Sequence, residues 1–173
     1  MLGWHRENPR GFFIIRAING ERVGNWDILP LRPETLEAFR NGDIIERDMR
    51  GEHRPYGYAE VSQLQEVNLY IESFVCKSPL AVAVVLSQFQ TLVQRICDPR
   101  RVRNIFAIAA SDDGINLLKD LGFRVVGRAQ RHDLYACSFS DLSKEIGAVA
   151  TGFLQLFEGR LQRLEASGKP TGL

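Results

Sequence analysis

The sequence is poor in the features that mark a membrane, secreted or nucleic-acid-coating protein. Its 22 Lys and Arg nearly balance its 21 Asp and Glu, and the net charge of +1 gives no global pull toward nucleic acid or an acidic membrane. No apolar run approaches the roughly 20 residues that span a bilayer. The stretch Met1-Leu2-Gly3-Trp4-His5-Arg6-Glu7 is too polar for a signal peptide. Cysteine is scarce: Cys76, Cys97 and Cys137 form an odd set without metal-ligand spacing. Thiols in apolar contexts behave as small hydrophobes, and a reducing, cytoplasmic compartment is the simplest reading. His5, His53 and His132 also lack metal spacing, so no metal is expected. There is no internal repeat, low-complexity tract or domain-splitting linker. What is present, 45% apolar and 25% charged residues over 173 positions, suits one core in one domain.

The most informative stretch is Val67–Ile96, a buried strand feeding a long buried helix. Leu69, Ile71, Phe74 and Val75 give the strand its β-branched and aromatic content. Alternation holds from Leu69 to Ile71 and slips at Glu72-Ser73, where an extra residue would be a β-bulge. Ser78 offers an N-cap and Pro79 the first helical position. Val82, Val85, Phe89, Leu92 and Ile96 then share one helical face. Arg95 is the one charge in that helix, so most of its surface is expected to be covered.

Around this unit the chain reads in order. Gly11–Ile18 and Arg22–Leu29 are strands joined by Asn19-Gly20 in a tight type I′ hairpin. Pro30-Leu31-Arg32-Pro33 breaks the sheet, and a short helix runs from Pro33 to about Arg40, ended by Asn41-Gly42. From Gly42 to Glu66 the pattern is weak and polar. Asn104–Ala110 is a strand apolar on both faces. Ser111-Asp112-Asp113 opens a helix that stops at Gly122. Phe123–Gly127 and His132–Phe139 are further strands. From Asp141 an amphipathic helix follows, with Leu142, Ile146, Val149, Phe153, Leu156 and Leu164 in one stripe. Parallel strands joined by crossover helices give an α/β sandwich with an antiparallel addition at one edge.

Three segments carry a family resemblance. I-F-A-I-A-A-S-D-D-G-I-N-L-L-K-D-L-G-F (105–123) resembles the closing strand–helix–turn of the GNAT superfamily of acyl-CoA-dependent N-acetyltransferases. L-Y-I-E-S-F-V-C-K-S-P (69–79) is similar to that superfamily's central strand and the place of its bulge. Gly24–Leu31 is similar to its earlier G-x-x-x-L-x-P-L strand. The resemblance implies a GNAT-like mixed, mostly antiparallel sheet with a central parallel strand pair, flanking helices and an added C-terminal helix. It divides the chain into an arm (1–10), a GNAT-like domain (11–139, with 31–66 as an insertion or lid) and a C-terminal helix and tail (140–173).

The resemblance also implies roles. The donor is acetyl-CoA and the acceptor an amine attacking the thioester directly. An attacking amine must be neutral, and Glu72 is the candidate base. Its competing reading is a strand carboxylate facing solvent or paired with an arginine. Backbone groups of Phe74, Val75 and Cys76 are candidates for the thioester carbonyl and pantetheine. Ser78 and the Leu80, Ala81, Val82 and Ala83 amides are candidates for the diphosphate, and Asn116 is a further cofactor contact. Tyr135 is the candidate acid, against a packed strand tyrosine. Trp26, Arg54, Tyr56 and Tyr58 are candidate acceptor contacts.

Three departures bear on activity. The superfamily's first strand and two helices have no room before Gly11. Its [Q/R]-x-x-G-x-[G/A] loop is Ser78-Pro79-Leu80-Ala81-Val82-Ala83 here, with alanine for glycine and one N–H removed by proline. Leu118 stands where the superfamily often has its acidic tyrosine. A catalytically degenerate GNAT-like module that binds a ligand or protein therefore stands beside the enzyme reading. A third reading, nucleic-acid association through Arg95, Arg100, Arg101 and Arg103, is opposed by the near-neutral charge. The Leu142–Leu164 stripe leaves a homodimer or partner surface and packing on the chain's own sheet both open.

Overall fold

The computed structural model describes residues 4–17, 19–129, 131–149, 151 and 152. Among them, six strands form one sheet in the order β1-β2-β3-β4-β6-β5. They are β1 (Phe12–Arg16), β2 (Arg22–Leu31), β3 (Val67–Cys76), β4 (Val102–Ile108), β5 (Arg124–Ala129) and β6 (His132–Ser138). Every neighbouring pair is antiparallel except β3 and β4, which run parallel. This is the mixed, mostly antiparallel sheet with a central parallel pair that the sequence leads one to expect.

Helices cover both faces. On one lie α4 (Pro79–Ser87), α5 (Phe89–Ile96), α6 (Asp112–Asp120) and α7 (residues 139–149). Their apolar residues meet Trp26, Ile28, Leu69 and Ile105 of the sheet. On the other face α1 (Trp4–Glu7) and α2 (Pro33–Asn41) bury Trp4, Leu36 and Phe39 against Leu29, Leu31, Tyr70 and Leu134. The alternation along β2, with Trp26 and Ile28 to one core and Leu29 and Leu31 to the other, follows from strand geometry. Trp26 anchors the first core: its ring stacks on Phe89 at 5.1 Å and meets Phe74 edge-on at 5.2 Å. Leu142 and Ile146 of α7 are buried in that same core, so the start of the C-terminal stripe packs on its own sheet, while Val149 is exposed. Phe153, Leu156 and Leu164 lie outside the described residues.

Several local expectations change. The predicted single helix is two, because at Gln88 the N–H bonds the Val85 carbonyl, at i−3, and the path turns. That turn seats Phe89 on Trp26, whereas glutamine is an ordinary helix former and gives no warning of it. Gln90, Thr91, Gln94 and Arg95 of α5 are exposed, so only one face of this half is covered. β2 also runs through Pro30 to Leu31 rather than breaking there. Beyond Asp27 it has no β1 partner, and the Pro30 carbonyl on that open side accepts the Tyr56 N–H at 2.9 Å. The missing proline N–H therefore faces no ladder. The hairpin closes on an Ala17 N–H to Glu21 carbonyl bond, with Gly20 at φ 84°. That loop is longer than the two-residue type I′ turn, a form in which one left-handed glycine suffices.

The 42–66 excursion is ordered by polar contacts. It contains helical turns at Glu46–Asp48 and Gly51–His53, then α3 (Tyr58–Val61). Arg32 reaches Glu60 at 2.5 Å, and Arg54 bridges Glu60 at 2.8 Å and Glu7 at 3.2 Å. The Arg54 bonds hold the Glu60 carboxyl down at about 2, helped by the Gly57 N–H and Arg32. Trp4 donates its indole N–H to the Met49 carbonyl at 2.7 Å, tying the arm to the excursion.

The aromatic stack should carry much of the stability. Phe89→Ala is expected to cost about 3–5 kcal/mol, measured by urea unfolding. A loss below about 1 kcal/mol would show that the stack is not central to the core.

Candidate active site

The parallel pair creates the site by coming apart. β3 and β4 are in register from Leu69↔Ile105 to Ile71↔Ala107, and there the pairing ends. β3 continues against β2 alone, and the match jumps from Ile28↔Ile71 to Asp27↔Ser73. Glu72 is the extra residue of the bulge, at the place where the sequence alternation slips. A bulge bends its strand and leaves a residue unpaired, so β3 is carried away from β4.

The fork opens into a cavity of about 380 Å³. Five consecutive residues of one strand, Ile71 to Val75, and five of the other segment, Ala107 to Ser111, line it. Side chains of a strand alternate between faces; an unbroken run along a wall means that backbone is exposed there. The far wall is apolar, built by Trp26, Phe89, Leu118, Leu121, Leu142 and Ile146. A crevice at the carboxyl ends of parallel strands is where open α/β sheets hold ligands. The arrangement combines unpaired strand amides and carbonyls with a dry wall, and so fits an extended chain carrying amide groups.

Glu72 is the ionisable residue of this lining. Burial, with Glu46 and Asp27 adding like charge, raises its carboxyl to about 7. The Asp27 carboxyl is itself raised, chiefly by burial. Asp27 is paired with Ser73 across the strands, and Ser73 accepts a bond from Asn25 Nδ2 at 2.6 Å. Tyr70, two residues before Glu72, is fully buried and donates its hydroxyl to Glu46. Burial and the neighbouring carboxylates push the Tyr70 hydroxyl well above its ordinary range.

Solved structures that resemble the chain include the following three. A GCN5-related N-acetyltransferase from Brucella melitensis has a TM-score of 0.44 and 13% identity, over 79% of this chain and 56% of that one. An uncharacterised protein of Bacillus halodurans has 0.44 and 14%, over 79% and 63%. Arabidopsis thaliana NAA60, solved with a bisubstrate analogue, has 0.34 and 16%, over 68% and 64%. This chain thus spans less than two thirds of the length of each. No protein family and no curated protein matches the chain. What the site can do follows from its own geometry.

The sequence-predicted residues divide into two groups. Glu72, Phe74, Val75 and Trp26 line the cavity together, although Trp26 is only 2% exposed and forms wall rather than surface. Leu118, at the position of the absent tyrosine, also lines it. Cys76 lies just beyond this lining, its thiol raised by burial. Tyr135 is outside the lining too, buried in the core opposite Ala107. Asn116 is exposed on α6 and Val82 half-buried on α4, neither among the lining residues. Arg54, Tyr56 and Tyr58 belong to the excursion's network. Arg54 is paired, the Arg32 guanidinium lies 4.4 Å over Tyr56, and that of Arg10 lies 3.9 Å over Tyr58.

The candidate diphosphate loop is largely self-satisfied. Ser78 caps α4 by accepting the Ala81 N–H at 3.2 Å, and its carbonyl takes the Val82 N–H at 3.1 Å. Pro79 has no N–H, and Ala81 and Ala83 are buried. At α6, Ser111 likewise accepts the Gly114 N–H, beside Asp112 and Asp113 in the first turn. Asp27 and Glu46, whose charges act on Glu72, are the residues that the sequence gives least reason to single out. Asp27 had a faint signal, a carboxylate alternating with Leu29 inside an apolar strand. Glu46 had none, because its segment has no period.

No group of three His, Cys, Asp or Glu placed to hold a metal occurs among the described residues. No helix among them is long and apolar enough to cross a membrane. Arg100 pairs with Asp98 at 2.7 Å, Arg101 binds the Ser62 and Leu64 carbonyls, and Arg103 pairs with Glu66. Arg100, Arg101 and Arg103 of the basic cluster are therefore engaged locally, and Arg95 is exposed on α5.

A carboxyl held at about 7 favours the fold when protonated. The folded value lies above the unfolded one, so this contribution is full below pH 4.5 and is lost as pH rises through 7. Glu72→Gln should therefore stabilise the protein at pH 8, by roughly 1–2 kcal/mol after allowing for solvent screening of a half-buried group. At pH 4.5 it should have little effect. Equal unfolding midpoints for variant and parent at pH 8 would show that Glu72 is an ordinary surface carboxylate.

Proposed function

We propose that this chain is an acyl-CoA-dependent N-acyltransferase, with acetyl transfer to an amine by direct attack on the thioester. The observation that supports this most is the fork, where unpaired strand edges, an apolar wall and a carboxyl held at about 7 meet at one bulge. The two strand edges suit the amides of a pantetheine arm. A free backbone N–H on the β3 edge supplies the donor that the thioester oxygen needs as it becomes negative. Glu72, poised near neutral pH, takes the proton that the amine nitrogen loses as the new C–N bond forms. As the C–S bond breaks, the thiolate takes its proton from water, since Leu118 has none to give.

The same geometry gives a second reading its own support. The Ala81 and Val82 amides, two of those proposed for the diphosphate, already have acceptors. A donor held by its pantetheine arm alone would bind more weakly. If the loss is complete, the scaffold is a GNAT-like binding module rather than an enzyme.

Thermal unfolding with and without acetyl-CoA separates the two. Ligand at about 100 times its dissociation constant stabilises the native state by roughly 2.7 kcal/mol, which is about 5–10 °C for a chain of this size. Such a rise, absent with adenosine diphosphate, supports the transferase; no rise at millimolar acetyl-CoA supports the module. With donor binding established, Glu72→Gln should lower turnover at neutral pH by roughly 10²–10⁴-fold. Unchanged turnover would remove Glu72 from the chemistry.

A further inference from the structure

Glu46 belongs to the polar excursion, yet its carboxylate is fastened to the central strand by the Tyr70 hydroxyl. The turn that presents it is fixed from three sides. Asp48 Oδ2 accepts the Ile45 N–H at 3.1 Å, Met49 is fully buried, and the Met49 carbonyl takes the Trp4 indole N–H. Tyr70 and Glu72 are separated by one residue on β3, across the start of the bulge. Glu46 is thus fastened to the strand two residues before Glu72, and Asp27 of β2 stands opposite Ser73, the residue after it.

We propose that Glu46, held by Tyr70, is a positioning residue that couples the 42–66 excursion to the carboxylate at the bulge. This rests on Glu72 being the base of the proposed transfer. The charges that act on Glu72 are both negative, Glu46 and Asp27, and Tyr70 beside them is a neutral donor. Like charges disfavour ionisation of a half-buried carboxyl, so Glu72 holds its proton more tightly while the trio stands alone. An amine that enters as an ammonium ion reverses the balance, because a cation beside the trio favours the ionised form. The ammonium then gives its first proton to water, and Glu72 takes the second as the C–N bond forms. Arrival of the acceptor at the fork therefore readies the base, and Glu46 is the part of the excursion that takes part in this response. A tether of this kind needs a rigid hydroxyl donor, which a fully buried tyrosine supplies.

The test is carbon-13 NMR titration of the side-chain carboxyl of Glu72, assigned with Glu72→Gln, in the full chain. In the parent its midpoint is expected near 7. Glu46→Gln should move it down by about 0.5 pH unit or more, Glu46→Asp should restore most of the difference, and Tyr70→Phe should lower it with Glu46 intact. A midpoint unmoved in Glu46→Gln, with the thermal midpoint preserved, overturns the proposal. Should Glu46→Gln fail to fold, an unmoved midpoint in Tyr70→Phe does the same. The acidic limb of kcat/KM should shift in parallel. An NMR shift in a protein without turnover would overturn the transferase reading and leave the coupling standing.

Discussion

One residue too many in β3 sets the architecture of the site. Opposite β2, Glu72 has no partner of its own, and the strand bends to accommodate it. The bend takes β3 away from β4 immediately after Ile71↔Ala107, and a parallel pair that would otherwise be sealed becomes a fork. Everything placed at the fork depends on that divergence. The backbone of both edges loses its ladder partners, the apolar wall of Trp26, Phe89 and Leu118 is reached from outside, and a carboxylate is left half-buried where two strands separate.

The two faces of the sheet then take different parts. The face covered by α4 to α7 supplies the dry wall, with Trp26 and Phe89 as its rigid base. The opposite face, below α1 and α2, carries Tyr70 among its apolar side chains and Glu46 bonded to it, with Asp27 on the same side of β2 as Leu29. Glu72 sits at the break between them. In the proposed reaction an apolar donor arm lies along one side and a cationic acceptor approaches the negative groups of the other. Desolvation and like charge act together on Glu72, and each raises its proton affinity.

The excursion illustrates how an unpatterned segment becomes part of a built structure. It is held by Arg32, Arg54, Glu60 and Glu7, by guanidinium groups over Tyr56 and Tyr58, and by the Trp4–Met49 bond. These contacts occupy the side chains that seemed, on composition, free to meet an acceptor. The residue that does reach toward the fork is Glu46. Long-range ion pairs and aromatic contacts have no periodicity, and a linear reading of residues 42–66 has nothing to register them by.

Local chemistry by itself determined much of this protein. Period-two runs, the Ser78 and Ser111 caps and the Gly122 stop marked the central strand–helix–strand–helix unit, because these signals act over a few residues. Even the bulge was legible, since an alternation that slips at Glu72-Ser73 cannot keep its faces without one. Tertiary structure alone decided the rest. It turned one helix into two at Gln88 to seat Phe89 on Trp26, and let β2 pass through Pro30 where an edge was open. It gave the Ala81 and Val82 amides of α4 acceptors on Ser78, and it set Asp27 and Glu46 to act on Glu72. The bond between Tyr70 and Glu46 spans 24 residues of chain, and Glu72 is raised by groups that share no local pattern with it. Burial and charge are sums over neighbours in space, so the proton affinity of this carboxyl is a property of the fold.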